Sequence, residues 1–221
     1  MRTITGAAFI SLDGVMQAPG APNEDRTGGF EGGGWLFPFS DEALANQIST
    51  VFHGSFDLLL GRRTYEIFAA YWPYIPDDNP IAAMFRKARK YVLTSSADTL
   101  DWDGSHRLAD LDALVALKQE DGPDLVIQGS TTLYPQLFER GLIDRLITMT
   151  APVVLGQGKK MFGADTMATR LRLIEHRLTS TGMSLATYEP AGEVGTGMFG
   201  EDNPSEAELA RRERWQNEDV R

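Results

Sequence analysis

The chain has 221 residues, 42% of them hydrophobic, enough for one sizeable core and too many for a disordered segment. Its 31 acidic and 21 basic side chains leave a formal charge of -10, the wrong sign for coating a nucleic-acid backbone, and no apolar run approaches the ~20 residues that span a bilayer. Zero Cys excludes a disulfide framework and a thiolate metal site, three scattered His argue against a histidine metal site, and Met1-Arg2-Thr3-Ile4 does not begin a signal segment, so a soluble cytoplasmic protein without metal is expected.

Residues 3–10 form a short, mostly apolar run with β-branched members that stops at the polar turn Ser11-Leu12-Asp13-Gly14 and reads as a buried strand. Residues 17–39 carry Pro19, Gly20, Pro22, Gly28, Gly29 and Gly32-Gly33-Gly34, too many breakers for a regular element, and a loop this long is usually functional or mobile. Ser40 is placed to cap a helix that runs to about residue 52, with Asp41 and Glu42 in a first turn that favours negative charge. Residues 56–60 read as a strand closing at Gly61, and residues 63–70 as a helix stopped by Trp72-Pro73. The alternation continues with helix 80–88, strand 91–93, turn Thr94-Ser95-Ser96, helix 111–119, strand 125–128 and helix 131–139. Such alternation predicts an α/β fold with a mostly parallel sheet covered by helices on both faces.

The rhythm then changes. Residues 142–154 and 171–178 read as strands, and 183–188 follows across the short turn 179–182, an antiparallel hairpin closing one edge. Beyond Pro190 the composition shifts, with eight acids and four Arg over 191–221, so this segment reads as an acidic appendage to a domain of residues 1–190. Within it Ser205 lies three residues before Glu208, a capping box that predicts a helix over 206–216.

In a sheet of this class ligands sit outside the carboxyl ends of the strands, so the turns Gly61-Arg62-Arg63-Thr64, Thr94-Ser95-Ser96 and Gln128-Gly129-Ser130-Thr131-Thr132 are expected on one rim. Gly129 and its small neighbours suit close backbone approach to a pyrophosphate, the two Arg supply fixed positive charge, and the Thr and Ser supply hydroxyls. Taken singly, the Gly-Ser turn is as well explained by helix capping and the Arg pair by a solvated surface.

Taken together, ITGAAFISLDGV at 4–15, LLLGRRTYE at 58–66 with Tyr71-Trp72-Pro73 behind it, YVLTSS at 91–96, VIQGSTTLY at 126–134 and GLIDRLITMTAPVVLGQGKKMFG at 141–163 carry a resemblance. The chain resembles the dihydrofolate reductase-like superfamily, specifically bacterial proteins similar to the reductase domain of the bifunctional riboflavin-biosynthesis deaminase-reductase. That resemblance implies an eight-stranded sheet whose final strand is antiparallel, and NADPH-dependent hydride transfer to a small heterocycle, pterin-like or pyrimidine-like. It also implies a homodimer. By the same resemblance the first strand near Ala8 runs beside the nicotinamide, and Gly61, Arg62, Arg63 and Thr64 meet the adenosine 2'-phosphate and neighbouring phosphates. Thr94, Ser95 and Ser96 lie beside the adenosine, and Gln128, Gly129, Ser130, Thr131 and Thr132 match the pyrophosphate turn, with Gln128-Gly129 standing where the family has paired glycines.

Dihydrofolate reductases place a buried carboxylate on the helix after the long loop, and this chain offers Asp41 and Glu42 only near that helix's start. Stabilisation of the helix is the competing reading of both acids. Riboflavin-type reductases hold a ribosyl phosphate with basic residues, for which Lys159 and Lys160 are the nearest candidates; both also read as solvated loop lysines. A deaminase half has no counterpart, since its zinc needs His and Cys ligands. Asp13 is a second candidate for guiding a proton, or else a turn stabiliser, and Trp35, Phe37 and Phe39 either wall a flat substrate or pack the core. Tyr134 faces the cofactor or the core. Two other readings stand beside the reductase: a non-catalytic nucleotide-binding module, and an interaction role for the tail through Leu209 and Trp215.

Overall fold

A computed structural model of the chain describes residues 1–76, 78–163, 166–199 and 203–218. Its strands are β1 (Ile4–Ser11), β2 (Phe56–Gly61), β3 (Lys90–Leu93), β4 (Ser105–Leu108), β5 (Asp124–Gln128), β6 (Arg145–Ala151), β7 (Leu171–Leu178) and β8 (Ser184–Pro190). Its α-helices are α1 (Glu42–Val51), α2 (Arg62–Ala69), α3 (Pro80–Lys87), α4 (Leu111–Gln119), α5 (Leu133–Glu139) and α6 (Glu206–Glu218). The strands form one eight-stranded sheet in the order β4-β3-β2-β5-β1-β6-β8-β7. Pairing is parallel from β4 to β6, and β8 runs antiparallel to both β6 and β7. The expected hairpin is present, and the last strand is inserted between β6 and β7, which leaves β7 at the edge.

The central strands are continuous apolar runs because both of their faces are covered. Leu58 and Leu60 of β2 and Val126 of β5 join one cluster with Leu44, Val51, Tyr65 and Phe85 from α1, α2 and α3. Leu59, Leu125 and Ile127 point the other way, against Leu114 and Leu117 of α4 and Leu133, Tyr134, Leu137 and Phe138 of α5. Each such side chain contributes about 1.5–3 kcal/mol through burial. Tyr134 belongs to this second cluster, fully buried beneath β1, where a Cβ on Gly6 would come 2.6 Å from its Cε1. Gly6 is therefore a packing glycine, and the tyrosine faces the core.

Several boundaries differ from the sequence reading. Asp41, not Ser40, is the N-cap of α1, in extended backbone with its carboxylate accepting the Leu44 N–H at 2.9 Å. The run 142–154 contains a shorter strand, β6, and α5 begins at Leu133, so that Thr131 and Thr132 precede the helix. Strand β4 was not anticipated: it is a four-residue strand with His106 and Arg107 exposed, too short and polar to show a period. The tail helix α6 covers the predicted 206–216, with Ser205 Oγ accepting the Glu208 N–H at 3.3 Å, and none of its described residues is buried.

Candidate functional site

A cleft of about 1710 Å³ opens at the carboxyl ends of β1, β2, β3 and β5. That exceeds the ~300–1,000 Å³ of a pocket for one small ligand and leaves room for a dinucleotide and a second molecule. The three polar turns singled out in the sequence converge on it, since Gly61 to Thr64, Thr94 to Ser96 and Gln128 to Thr132 all contribute to its lining.

Their local geometry follows from the fold. Gly129 and Ser130 have φ of +81° and +67°, so two successive residues turn through the left-handed region between β5 and α5. For a non-glycine residue that costs about 1–3 kcal/mol. The Ser130 hydroxyl offsets the cost by accepting the Gly61 N–H at 2.8 Å and donating to Thr64 Oγ1 at 2.9 Å, which ties the β5–α5 turn to the β2–α2 turn. A Cβ on Gly129 would meet Thr64 Cγ2 at 3.1 Å, so close approach of the two turns restricts that position as well. Ser130 thus holds the rim together from within.

The two arginines differ in kind. Arg62 Nε donates to Glu66 Oε1 at 2.7 Å and its guanidinium also pairs with Asp98; both contacts raise its pKa, and Asp98 accepts from Ser96 Oγ at 2.6 Å. Arg63 is exposed, donates to the neutral Thr27 Oγ1 at 3.0 Å and makes no ion pair among the described residues. An anion arriving at this rim meets a compensated cation at Arg62 and an uncompensated one at Arg63.

The opposite wall is apolar. Phe9 of β1, Ile48 of α1, Phe52, Phe68 of α2, Trp72 and Phe85 of α3 line it. Phe85 packs edge-on to Phe52 at 5.0 Å and to Trp72 at 4.9 Å between centroids, so the partly exposed Phe9, Phe68 and Trp72 are backed by a continuous aromatic cluster in which Phe52 and Phe85 are buried. Ala8 is fully buried on the other face of β1, so it is Phe9 whose side chain reaches the cleft.

The acids named from sequence lie elsewhere. Asp13 accepts from Ser11 Oγ at 2.6 Å, Leu155 N at 3.1 Å and Gly156 N at 2.9 Å, and these bonds hold its carboxyl down to about 2. Its carboxylate tethers the loop after β6, and it is not on the cleft lining. Asp41 caps α1 with one oxygen and takes the Ser180 N–H and Oγ–H with the other at 2.9 and 2.7 Å, which lowers its pKa. It too is off the lining, and Glu42 is exposed. Trp35 is buried, its Nε1–H donating to Gln17 O at 2.8 Å, whereas Phe37 is 81% exposed; neither lines the cleft. Phe39 packs partly buried against the core.

Residues of the long loop that sequence reasoning passed over do reach the cleft. Glu24 lines it with Oε2 accepting the Gly20 and Ala21 N–H groups at 2.7 and 3.1 Å, and burial raises its pKa above the usual carboxylate value. Asp25 pairs with Lys159 at 2.5 Å, and Gln17, buried, donates to the Asp25 and Thr27 carbonyls and accepts the Lys159 N–H at 3.0 Å. Lys160 lies 3.8 Å from Asp13 and off the lining. No periodicity marks Gln17 or Glu24, because both act through a loop conformation that breakers permit and distant partners fix.

The family model described as RibD C-terminal domain matches residues 2–185. The chain is 31% identical over 171 residues to the uncharacterized protein YwjB of Bacillus subtilis (strain 168), covering 74% of this chain and 84% of that one. Among solved structures, a pyrimidine reductase-like protein from Corynebacterium diphtheriae NCTC superposes with a TM-score of 0.55 at 16% identity, covering 87% of this chain and 93% of the other. A dihydrofolate reductase from Enterococcus faecalis, complexed with NADP(H), superposes with a TM-score of 0.54 at 16% identity, covering 85% and 96%. These likenesses show the dihydrofolate reductase-like fold. No helix among the described residues is long and apolar enough to cross a membrane.

Proposed function

The chain belongs to the RibD C-terminal domain family, and from that premise we propose that it is an NADPH-dependent reductase of a small, flat, unsaturated substrate, the pterin-like and pyrimidine-like rings implied by the resemblance being the first to screen. The observation that supports this reading most is the meeting of three polar turns and an aromatic wall in one cleft. The side chains present fit a dinucleotide phosphate: an uncompensated guanidinium at Arg63, hydroxyls at Thr64, Thr94, Ser95 and Ser96, and the doubly left-handed turn at Gly129 and Ser130. When bound, the dihydronicotinamide supplies hydride to an electrophilic carbon.

Each part of the chain then has a task. Arg63 holds the anionic end, and its fixed charge selects a 2'-phosphate over a 2'-hydroxyl. Ser130 keeps the two turns in register, and the aromatic wall excludes water from the reacting ends. Glu24, which burial makes a weaker acid than an ordinary carboxyl, borders Arg62 and Arg63 at the end where the phosphates would lie.

The experiment is titration of the protein with NADPH and NADH by calorimetry, on wild type and Arg63→Ala. NADPH is expected to bind at least ~10-fold tighter than NADH, a difference of ~1.4 kcal/mol, with the gap closing in the variant. Failure of both nucleotides to bind overturns the reading.

A further inference from the structure

We propose that the second ligand of the cleft, the molecule that is reduced, is an uncharged, flat aromatic carbonyl compound and not a phosphorylated or anionic one. This rests on the reading that the polar rim holds the dinucleotide, and it concerns the wall that the rim leaves over.

The wall is made by the face of α1 that turns inward and by the elements opposite it. Leu44, Ile48 and Phe52 recur at four-residue spacing, so this face of α1 is apolar from its first turn to its C-cap. The helix's acids are spent elsewhere, Asp41 as its cap and Glu42 in solvent. No described carboxylate of α1 is therefore available to bond a protonated ring nitrogen. Phe9 and Trp72, both partly exposed and backed by the buried Phe85, complete a surface suited to a flat ring stacked or set edge-on.

The cations on the described lining are mostly compensated. Lys159 is paired with Asp25, Arg62 with Glu66 and Asp98, and Arg140 with Asp112. Lys160, the other lysine that sequence offered for a ribosyl phosphate, is near Asp13 outside the cleft. The exception is Arg63, on the rim that the dinucleotide would occupy. A phosphate or carboxylate pressed against the aromatic wall would lose its hydration, and the lining cations other than Arg63 already hold carboxylates, a cost that an uncharged ligand does not bear.

The reaction balances as an aldehyde or ketone plus NADPH and a proton giving an alcohol and NADP+. The C4–H bond of the dihydronicotinamide breaks with its electron pair, a C–H bond forms at the carbonyl carbon, and the π pair passes to oxygen, which takes a proton from water.

The test uses 2-naphthaldehyde and its ring-sulfonated analogue, with dihydrofolate and a ribosylaminopyrimidine phosphate as anionic comparators. Binding is read from quenching of Trp72 fluorescence, assigned by Trp72→Phe, and turnover from NADPH oxidation, alongside the NADPH titration. The expected result is binding and kcat/KM at least ~10-fold in favour of the uncharged aldehyde. Ile48→Lys, which places a cation on the wall, is expected to reverse that preference while leaving NADPH affinity unchanged. NADPH binding with preference for any of the anionic compounds overturns this proposal and leaves the reductase reading standing. Absence of NADPH binding overturns both.

Discussion

The two ends of the sheet treat charge in opposite ways. At the amino ends of the strands, Arg2 and Asp57 form a pair with side chains only 2% and 5% exposed, and Asp57 also accepts the Arg89 N–H at 2.9 Å. Asp144 joins Lys118 to the Ile4 N–H, and Asp124 takes the Thr3 N–H at 2.7 Å. Lys90 is fully buried under the Trp102 ring, with burial pushing its ammonium down to about 8. At the carboxyl ends the polar groups surround an open cleft, where Thr64, Thr94 and Ser96 are engaged within the chain but Arg63 remains exposed without an ion pair among the described residues. Polar groups satisfied within the chain set geometry, whereas those left open are available to a ligand.

The largest expected effect comes from breaking the closed end. Asp57→Ala would leave the Arg2 guanidinium buried without its carboxylate and the Arg89 N–H without an acceptor, at a cost of about 3–5 kcal/mol. Urea unfolding measures it, and a loss below ~1 kcal/mol would mean that the closed end is not built on this pair. Nucleotide affinity of the folded protein is expected to stay as in wild type, in contrast with Arg63→Ala, which is expected to alter affinity and leave stability within ~0.5 kcal/mol.

A smaller effect sharpens the comparison just inside the open end. The Tyr134 hydroxyl is buried with no hydrogen-bond partner among the described residues, and its burial strongly disfavours ionisation. Tyr134→Phe removes that unmet group without changing the packing on Gly6, and a gain of about 1 kcal/mol in thermal or urea unfolding is expected. Destabilisation instead would show that the hydroxyl has an acceptor.

The smallest effect is a pH dependence. Asp13 has a folded pKa of about 2 against an ordinary 3.8, mainly through Ser11 and the Leu155 and Gly156 amides. Its tether therefore contributes fully above the unfolded value and is lost as pH falls through the folded one. Thermal unfolding from pH 5 to 2 is expected to fall less steeply for Asp13→Asn than for wild type, and parallel curves would count against the tether.

Legibility followed the range of the interactions involved. The central strands, the hairpin and α6 showed in the sequence because their signals are local: apolar runs with breakers between them, a short turn between two strands, and Ser205 three residues before Glu208. The three rim turns were legible as residue types at strand ends. The roles of individual acids were not, since Asp13 finds its backbone donors 142 and 143 residues away, and Asp41 is held by Ser180, 139 residues away. The same holds for Glu24, whose weakness as an acid comes from burial that no neighbouring residue announces.

Composition, periodicity and turn chemistry by themselves determined an α/β sheet with polar turns at its carboxyl ends, because these depend on which residues are adjacent. Only the tertiary structure decided that Asp13 and Asp41 are spent as tethers and that Ile48, Phe52 and Phe85 share a wall with Phe9. Charge compensation and burial are sums over neighbours in space, and those neighbours come from distant parts of the chain.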